Sequence, residues 1–293
     1  MVAALPRNIQ LKLRQTLNQW RQWRCDPPLQ RVPQAVSLFS TGISNYSILV
    51  EAETEARYVV RIDGVDAINN TLSRSSEWRV LQVAHEAHLA PCPRYYNPEL
   101  GVLVCDYLPS DIGHTYCAIS DTAALLHRIH QLPAIHHRLD LRERFVRYEK
   151  QLQHQCRDIP TTLSSNRELV LALLSELYEG GELTVLCHND LLAANRISSG
   201  KRLWALDWEY TAMGSFWFDL AVVAIGDRLQ TAQKQELITA YLGRNATLEE
   251  SKVFSRHCLV YQYLEILWYM ANTSQDTEQH LRRLQQAINR ENY

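Results

Sequence analysis

Leu186–Asp219 reads LCHNDLLAANRISSGKRLWALDWEYTAMGSFWFD. Within it His188, Asp190, Asn195 and Asp207 fall on one short strand, loop and hairpin. Thr184–Cys187 (TVLC) is short, apolar and β-prone, and residues 189–194 form a loop. Arg196-Ile197 and Leu203–Leu206 read as strands on either side of the turn signal Ser199-Gly200. Such a hairpin sets Asn195 opposite Asp207, since both lie a similar distance from the turn. Two oxygen ligands at its open end can share one cation, and Asp190 projects from the loop that feeds it. A base for a hydroxyl together with oxygen ligands for Mg²⁺ suits metal-assisted phosphoryl transfer. Asn and Asp also occupy turns by bonding local backbone, and any one of these residues alone would be read that way. Their combination, followed by an acidic-aromatic run, favours chemistry.

Outward from this stretch, the spacing of Ile9, Leu13, Leu17 and Trp20 predicts an amphipathic helix over residues 8–24, broken by Cys25-Asp26-Pro27-Pro28. Residues 36–39, 46–52 and 57–62 read as strands, 70–89 as a helix ended by Pro91-Cys92-Pro93, and 101–105 as a further strand. The remainder is mostly helical. This order predicts an α+β chain with a small antiparallel-sheet lobe over residues 1–108 and a larger helical lobe over 109–293, with a ligand in the cleft between them. Thr41-Gly42-Ile43-Ser44-Asn45 lies between two strands. Its Gly42, Ser44 and Asn45 offer either an ordinary hairpin turn or backbone N–H groups for phosphate. Arg61 ends an apolar strand and Glu77 lies in the next helix. The pair is either a salt bridge or a carboxylate-held cation aimed at nucleotide phosphates. In Tyr261–Met270 (YQYLEILWYM), Glu265 and Trp268 share a helix face. They either join the core or hold a cation through charge and the indole ring.

The bulk properties exclude several classes. The 293 residues are 46% hydrophobic and 21% charged, with a net charge of −2, so no global basic field invites nucleic acid. No apolar run approaches the roughly 20 residues that span a bilayer, and the N-terminus lacks the pattern of a signal peptide. Seven cysteines, an odd number without a CxxC pair, fit reduced thiols in the cytoplasm. His85-Glu86-Ala87-His88 is not a zinc motif, and His127 and His130 read as structural or exposed. Neither a GxSxG nor a GxxxxGK[ST] segment is present.

His188-Asn189-Asp190 with Asn195, then Asp207-Trp208-Glu209-Tyr210 and Phe218-Asp219-Leu220, resembles the choline/ethanolamine kinase and aminoglycoside phosphotransferase superfamily. The likeness is strongest to bacterial choline kinase-like and thiamine kinase-like members. STGISN resembles the nucleotide loop, VVRIDG the strand that carries Arg in choline kinases, VCDYLP the hinge, and LLHRIH the helix after it. The resemblance implies a bilobal protein kinase-like fold and ATP/Mg²⁺-dependent phosphorylation of a small-molecule hydroxyl. Asp190 would be the base, Asn195 and Asp207 the metal ligands, and His188 and Asp219 supports of the catalytic loop. Arg61, placed by Glu77, would contact phosphates, and backbone around Asp106, Tyr107 and Leu108 would bond adenine. Glu209, Tyr210, Glu265 and Trp268 would form an acidic-aromatic wall for a small cationic alcohol, choline or ethanolamine first. Thiamine follows, then an aminoglycoside or sugar, and outside enzymes a catalytically silent kinase-like binding protein. Two departures stand out: Arg196 replaces the usual aliphatic residue, and Glu265 stands where an additional tryptophan is common.

Overall fold

The computed structural model describes residues 5–39, 45–53, 55–64, 74–111, 118–179, 183–273 and 277–291. The chain has the expected α+β composition and divides into two compact units: Met1–Thr115 with Ile197–Glu209, and Tyr116–Arg196 with Tyr210–Tyr293. Compared with a single division after residue 108, the hairpin segment Ile197–Glu209 groups with the N-terminal sheet.

The first unit begins with α1 (Arg7–Asn18), a 3₁₀ turn at Trp20–Gln22, β1 (Gln34–Leu38), β2 (Asn45–Glu51) and β3 (Arg57–Asp63). It continues through α2 (Arg74–Glu86), β4 (Pro93–Asn97) and β5 (Val102–Asp106). The strands form one antiparallel sheet in the order β1-β2-β3-β5-β4. Side chains alternate along a strand. Tyr58, Val60 and Ile62 of β3 therefore enter a core with Ile48, Val50, Val102, Val104 and the Ile9 and Leu13 side chains of α1. The same alternation delivers Arg61 to the opposite face, where it meets Glu77 of α2.

The sequence-based boundaries shift in two places with an evident physical cause. The helix expected over 8–24 ends at Asn18 because the chain swings alongside β4. There the Arg24 N–H donates to the Arg94 carbonyl (2.7 Å), and the Arg94 guanidinium donates to the Arg24 carbonyl (2.9 Å). Residues 91–93 do not merely stop a helix, since Pro93 opens the edge strand β4. A proline is tolerated there because an edge strand need not donate on its outer side. The helix expected over 70–89 is α2, and its first expected turn lies outside the described residues, as do Gly42 and Ser44.

The second unit contains α3 (Ile119–Ile129), α4 (Leu141–His154), α5 (Thr161–Glu179) and β6 (Thr184–Cys187). Along the chain come next the hairpin strands β7 (Arg196–Ser199) and β8 (Arg202–Ala205), which from Ile197 onward group with the first unit, and the second unit resumes with β9 (Ala212–Ser215), α6 (Phe216–Gly226), α7 (Thr231–Leu242), α8 (Leu248–Asn272) and α9 (Glu278–Glu291). Strand β9 was not foreseen; AMGS shows no alternation, and its pairing with β6 (Cys187 opposite Ala212) defines it. Helix α6 is apolar on all sides and central, packing against α8, which also carries α4, α5 and α9. A Thr247–Glu250 capping box starts α8. Among the described residues no helix is long and apolar enough to cross a membrane.

Identifiable bonds hold the β7–β8 hairpin within the first unit. The Ala205 N–H donates to the Leu89 carbonyl at 2.8 Å. The Asp111 carboxylate accepts from the Gly200 N–H at 2.9 Å, the Lys201 N–H at 3.0 Å and the Ser198 hydroxyl at 3.1 Å.

Candidate active site

Of the residues expected at the nucleotide site, Asn45, Arg61 and Glu77 meet in one largely buried ionic cluster in the first unit. Arg61 donates to Glu77 Oε2 (2.7 Å) and to Asp207 (2.6 Å), and its charge lies 2.6 Å from Glu77 Oε1. Arg74 binds Asp63 (2.7 and 3.0 Å), Glu77 (2.9 Å) and Glu209 (2.8 Å), and the Asn45 amide donates to the same Glu209 oxygen at 3.0 Å. Among the described residues, two guanidinium groups thus face four carboxylates, a surplus of two negative charges when all are ionised. The electrostatics follow from that imbalance. Burial pushes the Asp207 carboxyl up, and the Glu77 charge adds to it against the pull of Arg61. Glu209 is raised by burial and then by Asp207. Burial would also raise Glu77, but the two arginines outweigh it and hold that carboxyl below its ordinary value.

Asp207 adopts φ = 58°, a left-handed conformation that costs a non-glycine residue energy and often marks a site under functional constraint. Its side chain is 27% exposed, and only Oδ1 is engaged by Arg61. A hard divalent cation prefers oxygen ligands and an uncompensated negative field, and this cluster offers both. Glu209 is placed differently from the acceptor wall expected of it. It is 4% exposed, with its carboxylate occupied by Arg74 and Asn45. At the expected hinge, the Asp106 carboxylate is bridged by Arg94 (2.6 and 2.7 Å), and the Asp106 and Tyr107 N–H groups donate to the Cys92 and Arg57 carbonyls. The Tyr107 ring stacks on Phe39, centroids 6.0 Å apart.

The second unit carries the loop of Asp190. Asp219, fully buried in the first turn of α6, accepts the backbone N–H groups of His188 and Asn189, both at 2.7 Å. Asn189 has φ = 61°, and its amide donates to the Tyr210 carbonyl at 3.1 Å. The next residue, Asp190, is half-buried. The Asn195 amide donates to the Asp190 carbonyl and to its Oδ2, both at 2.8 Å. With the Nδ2 protons spent on Asp190, Asn195 presents an amide oxygen, the atom a metal would take.

His130, read as structural or exposed, is a buried structural residue at the end of α3 that supports Asp219. Its Nε2 lies 3.1 Å from Asp219 Oδ2 and its Nδ1 2.7 Å from the Tyr241 hydroxyl. Helical spacing from Ala123 and Leu126, both buried, could have located it on the inner face of α3. Arg196 is likewise accounted for. It pairs with Asp227 and donates to the Thr122 hydroxyl at 2.8 Å, with a side chain 7% exposed.

On α8, Glu265 and Trp268 are half-buried between fully buried Leu264, Ile266 and Leu267. Burial pushes the Glu265 carboxyl up to about 7, opposed by Arg283 and Arg228. Burial raises the Tyr269 phenol, and the charges of Glu265 and then Asp190 raise it further. The same two carboxylates act on Tyr261. Asp190 and Glu265 therefore lie within electrostatic reach of the same two rings, and Trp268 meets Tyr269 edge-on at 5.2 Å. Tyr210 is engaged elsewhere: it is buried, with the Arg144 guanidinium 4.9 Å from its ring centroid.

Comparison with solved structures finds this fold in a choline/ethanolamine kinase family protein from Mesorhizobium loti. The TM-score is 0.73 at 19% identity, over 94% of this chain and 95% of that one. Choline kinase LicA from Streptococcus pneumoniae gives a TM-score of 0.70 at 21% identity, over 87% and 93%. At these identities the likeness shows the kinase-like fold. A curated relative, the LicA homolog of Metamycoplasma hominis, is 33% identical over 85 residues, 29% of this chain. The match spans about a third of that relative's length (32%). Residues 35–254 match the model of the phosphotransferase enzyme family, a span that takes in both clusters but stops short of Glu265 and Trp268. Because that span is most of the sequence, the chain belongs to the phosphotransferase enzyme family.

Proposed function

We propose that the chain is an ATP- and Mg²⁺-dependent kinase of a small cationic alcohol, with choline or ethanolamine as the leading acceptors. The observation that carries the acceptor class is the half-buried Glu265 carboxylate, three residues before Trp268 on α8, whose charge, like that of Asp190, adds to the burial that raises the Tyr261 and Tyr269 phenols. An ammonium group is attracted by such a carboxylate and by the faces of the rings.

Asp190 orients the acceptor hydroxyl and takes its proton as the oxygen bonds to the γ-phosphorus, while the bond from that phosphorus to the β–γ bridging oxygen breaks and ADP departs. Asn195 fixes the Asp190 carboxylate and, with Asp207, is a candidate metal ligand. Bound Mg²⁺ supplies positive charge against the phosphate oxygens. Arg61, held by Glu77, offers charge to the phosphates, and the Leu108 N–H with the hinge carbonyls offers hydrogen bonds to adenine. Alignment and charge stabilisation supply most of the rate in such a reaction.

Steady-state assays with ATP over choline, ethanolamine, thiamine, kanamycin and a neutral sugar test the proposal. Turnover of choline or ethanolamine with the highest kcat/KM supports it. A preference for thiamine or kanamycin moves the acceptor, turnover of the neutral sugar alone removes the cation, and failure to bind Mg·ATP in calorimetry removes the kinase. Trp268→Ala is expected to raise KM for the cationic acceptor by about 5- to 30-fold, the equivalent of ~1–2 kcal/mol of desolvated cation–π energy. An unchanged KM would return that face of α8 to a packing role.

The same site predicts a pH dependence. Glu265 titrates near 7 in the folded chain, so the KM of a permanently charged acceptor should fall as pH rises from 6 to 8 and the carboxylate forms. The raised value also means that the folded chain holds this proton more tightly than the unfolded one. Stability of the free protein is therefore lost as pH rises from about 4.5 to about 7, and a bound cation should restore it. Glu265→Gln should flatten both profiles; a KM that stays pH-dependent in that variant places the titrating group elsewhere.

A further inference from the structure

The α6 C-terminus makes a set of contacts with the catalytic loop that the proposed chemistry does not by itself require. Asp227 caps α6, and its Oδ1 accepts the Ala193 N–H at 3.0 Å. Its other oxygen takes the Arg196 guanidinium. Ala193 opens the 3₁₀ turn Ala193–Asn195 and Arg196 follows it, so one carboxylate grips the turn at both ends. Arg196 is anchored in turn on α3 through Thr122, itself 2% exposed. The side chains of Arg196 and Asp227 are only 7% and 13% exposed. A second, independent feature brings these parts together. Gly226 lies directly against the loop, where a Cβ would come within 2.2 Å of the Leu192 side chain.

The turn held in this way carries Asn195, whose amide is committed to Asp190. A buried ion pair loses much of its attraction to desolvation, and an apolar pair of similar volume often serves stability as well or better. Packing alone therefore does not account for the pair. We infer that Asp227 and Arg196 are positioning residues that set the height and orientation of Asn195, and through it of Asp190, so that the strength of metal binding in this chain depends on an ion pair that touches no ligand. The inference rests on the phosphotransferase reading with Asn195 as a metal ligand.

The test uses the full chain with Mn²⁺ as the probe, titrated by electron paramagnetic resonance in the presence of a non-hydrolysable ATP analogue. Asp227→Ala is expected to weaken Mn²⁺ binding by about 10-fold or more, as loss of groups that orient a metal ligand does elsewhere. It should lower kcat in parallel and leave metal-free nucleotide affinity within about twofold. If that variant does not fold, Arg196→Met with Asp227→Asn removes both charges at once and keeps an acceptor for the Ala193 N–H. Its Mn²⁺ affinity should fall by a smaller factor, about 3- to 10-fold. Weakened Mn²⁺ binding in either folded variant supports the inference. A folded variant that binds Mn²⁺ as wild type does overturns the inference alone, leaving the kinase reading in place. A wild-type chain that takes up no Mn²⁺ with the nucleotide analogue overturns the metal reading and the inference together.

Discussion

Asp190→Ala is expected to lower kcat by about 10³-fold, within the range that a positioned general base contributes, while the KM for Mg·ATP stays within about twofold. The separation follows from where the side chain is held. Asp190 belongs to the second unit, on a loop whose backbone is fixed by Asp219 through the N–H groups of His188 and Asn189. Arg61, Glu77 and Asp207 make their mutual contacts within the first unit. Truncating Asp190 leaves those contacts and the Asp219 anchor untouched, so the loss should fall on the chemical step. Asp190→Asn should match it, since an amide keeps the size of the side chain but cannot take a proton. Parallel steady-state kinetics and nucleotide calorimetry decide the matter. A kcat within tenfold of wild type would remove Asp190 from the role of base, and an equal loss of nucleotide binding would erase the distinction between base and metal ligand.

How far the sequence foretold this arrangement depends on the range of the interactions involved. The local geometry of residues 186–219 was legible because its bonds are short-range: Asn195 reaches back five residues to Asp190, and the hairpin turns at Gly200. Arg61 and Glu77 were legible as a pair, joined by a strand and the helix after it. The role of Arg74 was not, because its partners Asp63, Glu77 and Glu209 are brought together only by the fold. Glu209 illustrates the limit. The resemblance implies an acceptor wall that includes Glu209 and Tyr210, but a short 3₁₀ turn over Trp208–Tyr210 buries Glu209 against Arg74 and Tyr210 beneath Arg144. His130 and Arg196 were opaque for the same reason, since their partners Asp219 and Asp227 lie 89 and 31 residues away. Strand β9 escaped notice because four small or flexible residues carry no period, and only the Cys187–Ala212 register reveals it.

Asp207→Asn should abolish Mg·ATP binding without destabilising the metal-free protein, and the two effects share one cause. The cluster around Asp207 holds four carboxylates against two arginines, and burial with the neighbouring charge pushes the Asp207 and Glu209 carboxyls up. A carboxyl raised in the folded state is one whose ionisation the fold resists. Stability is fully present below the unfolded value and is lost as pH rises through the raised one. Removing that charge relieves the resistance, most clearly at pH values where Asp207 of the wild type is ionised. Asparagine is the informative replacement, because it tolerates the left-handed backbone at φ = 58°, whereas alanine there costs roughly 1–2 kcal/mol. An amide oxygen can still accept from Arg61, but the charge that answers a divalent cation is gone. In wild type, Mg·ATP should raise the melting temperature by mass action, and in Asp207→Asn that shift should vanish while the metal-free melting temperature holds or rises. A fall of several degrees in the metal-free variant would show that Asp207 is held chiefly for its bond to Arg61. A preserved Mg·ATP shift would show that the surplus of negative charge in this cluster answers to something other than the metal.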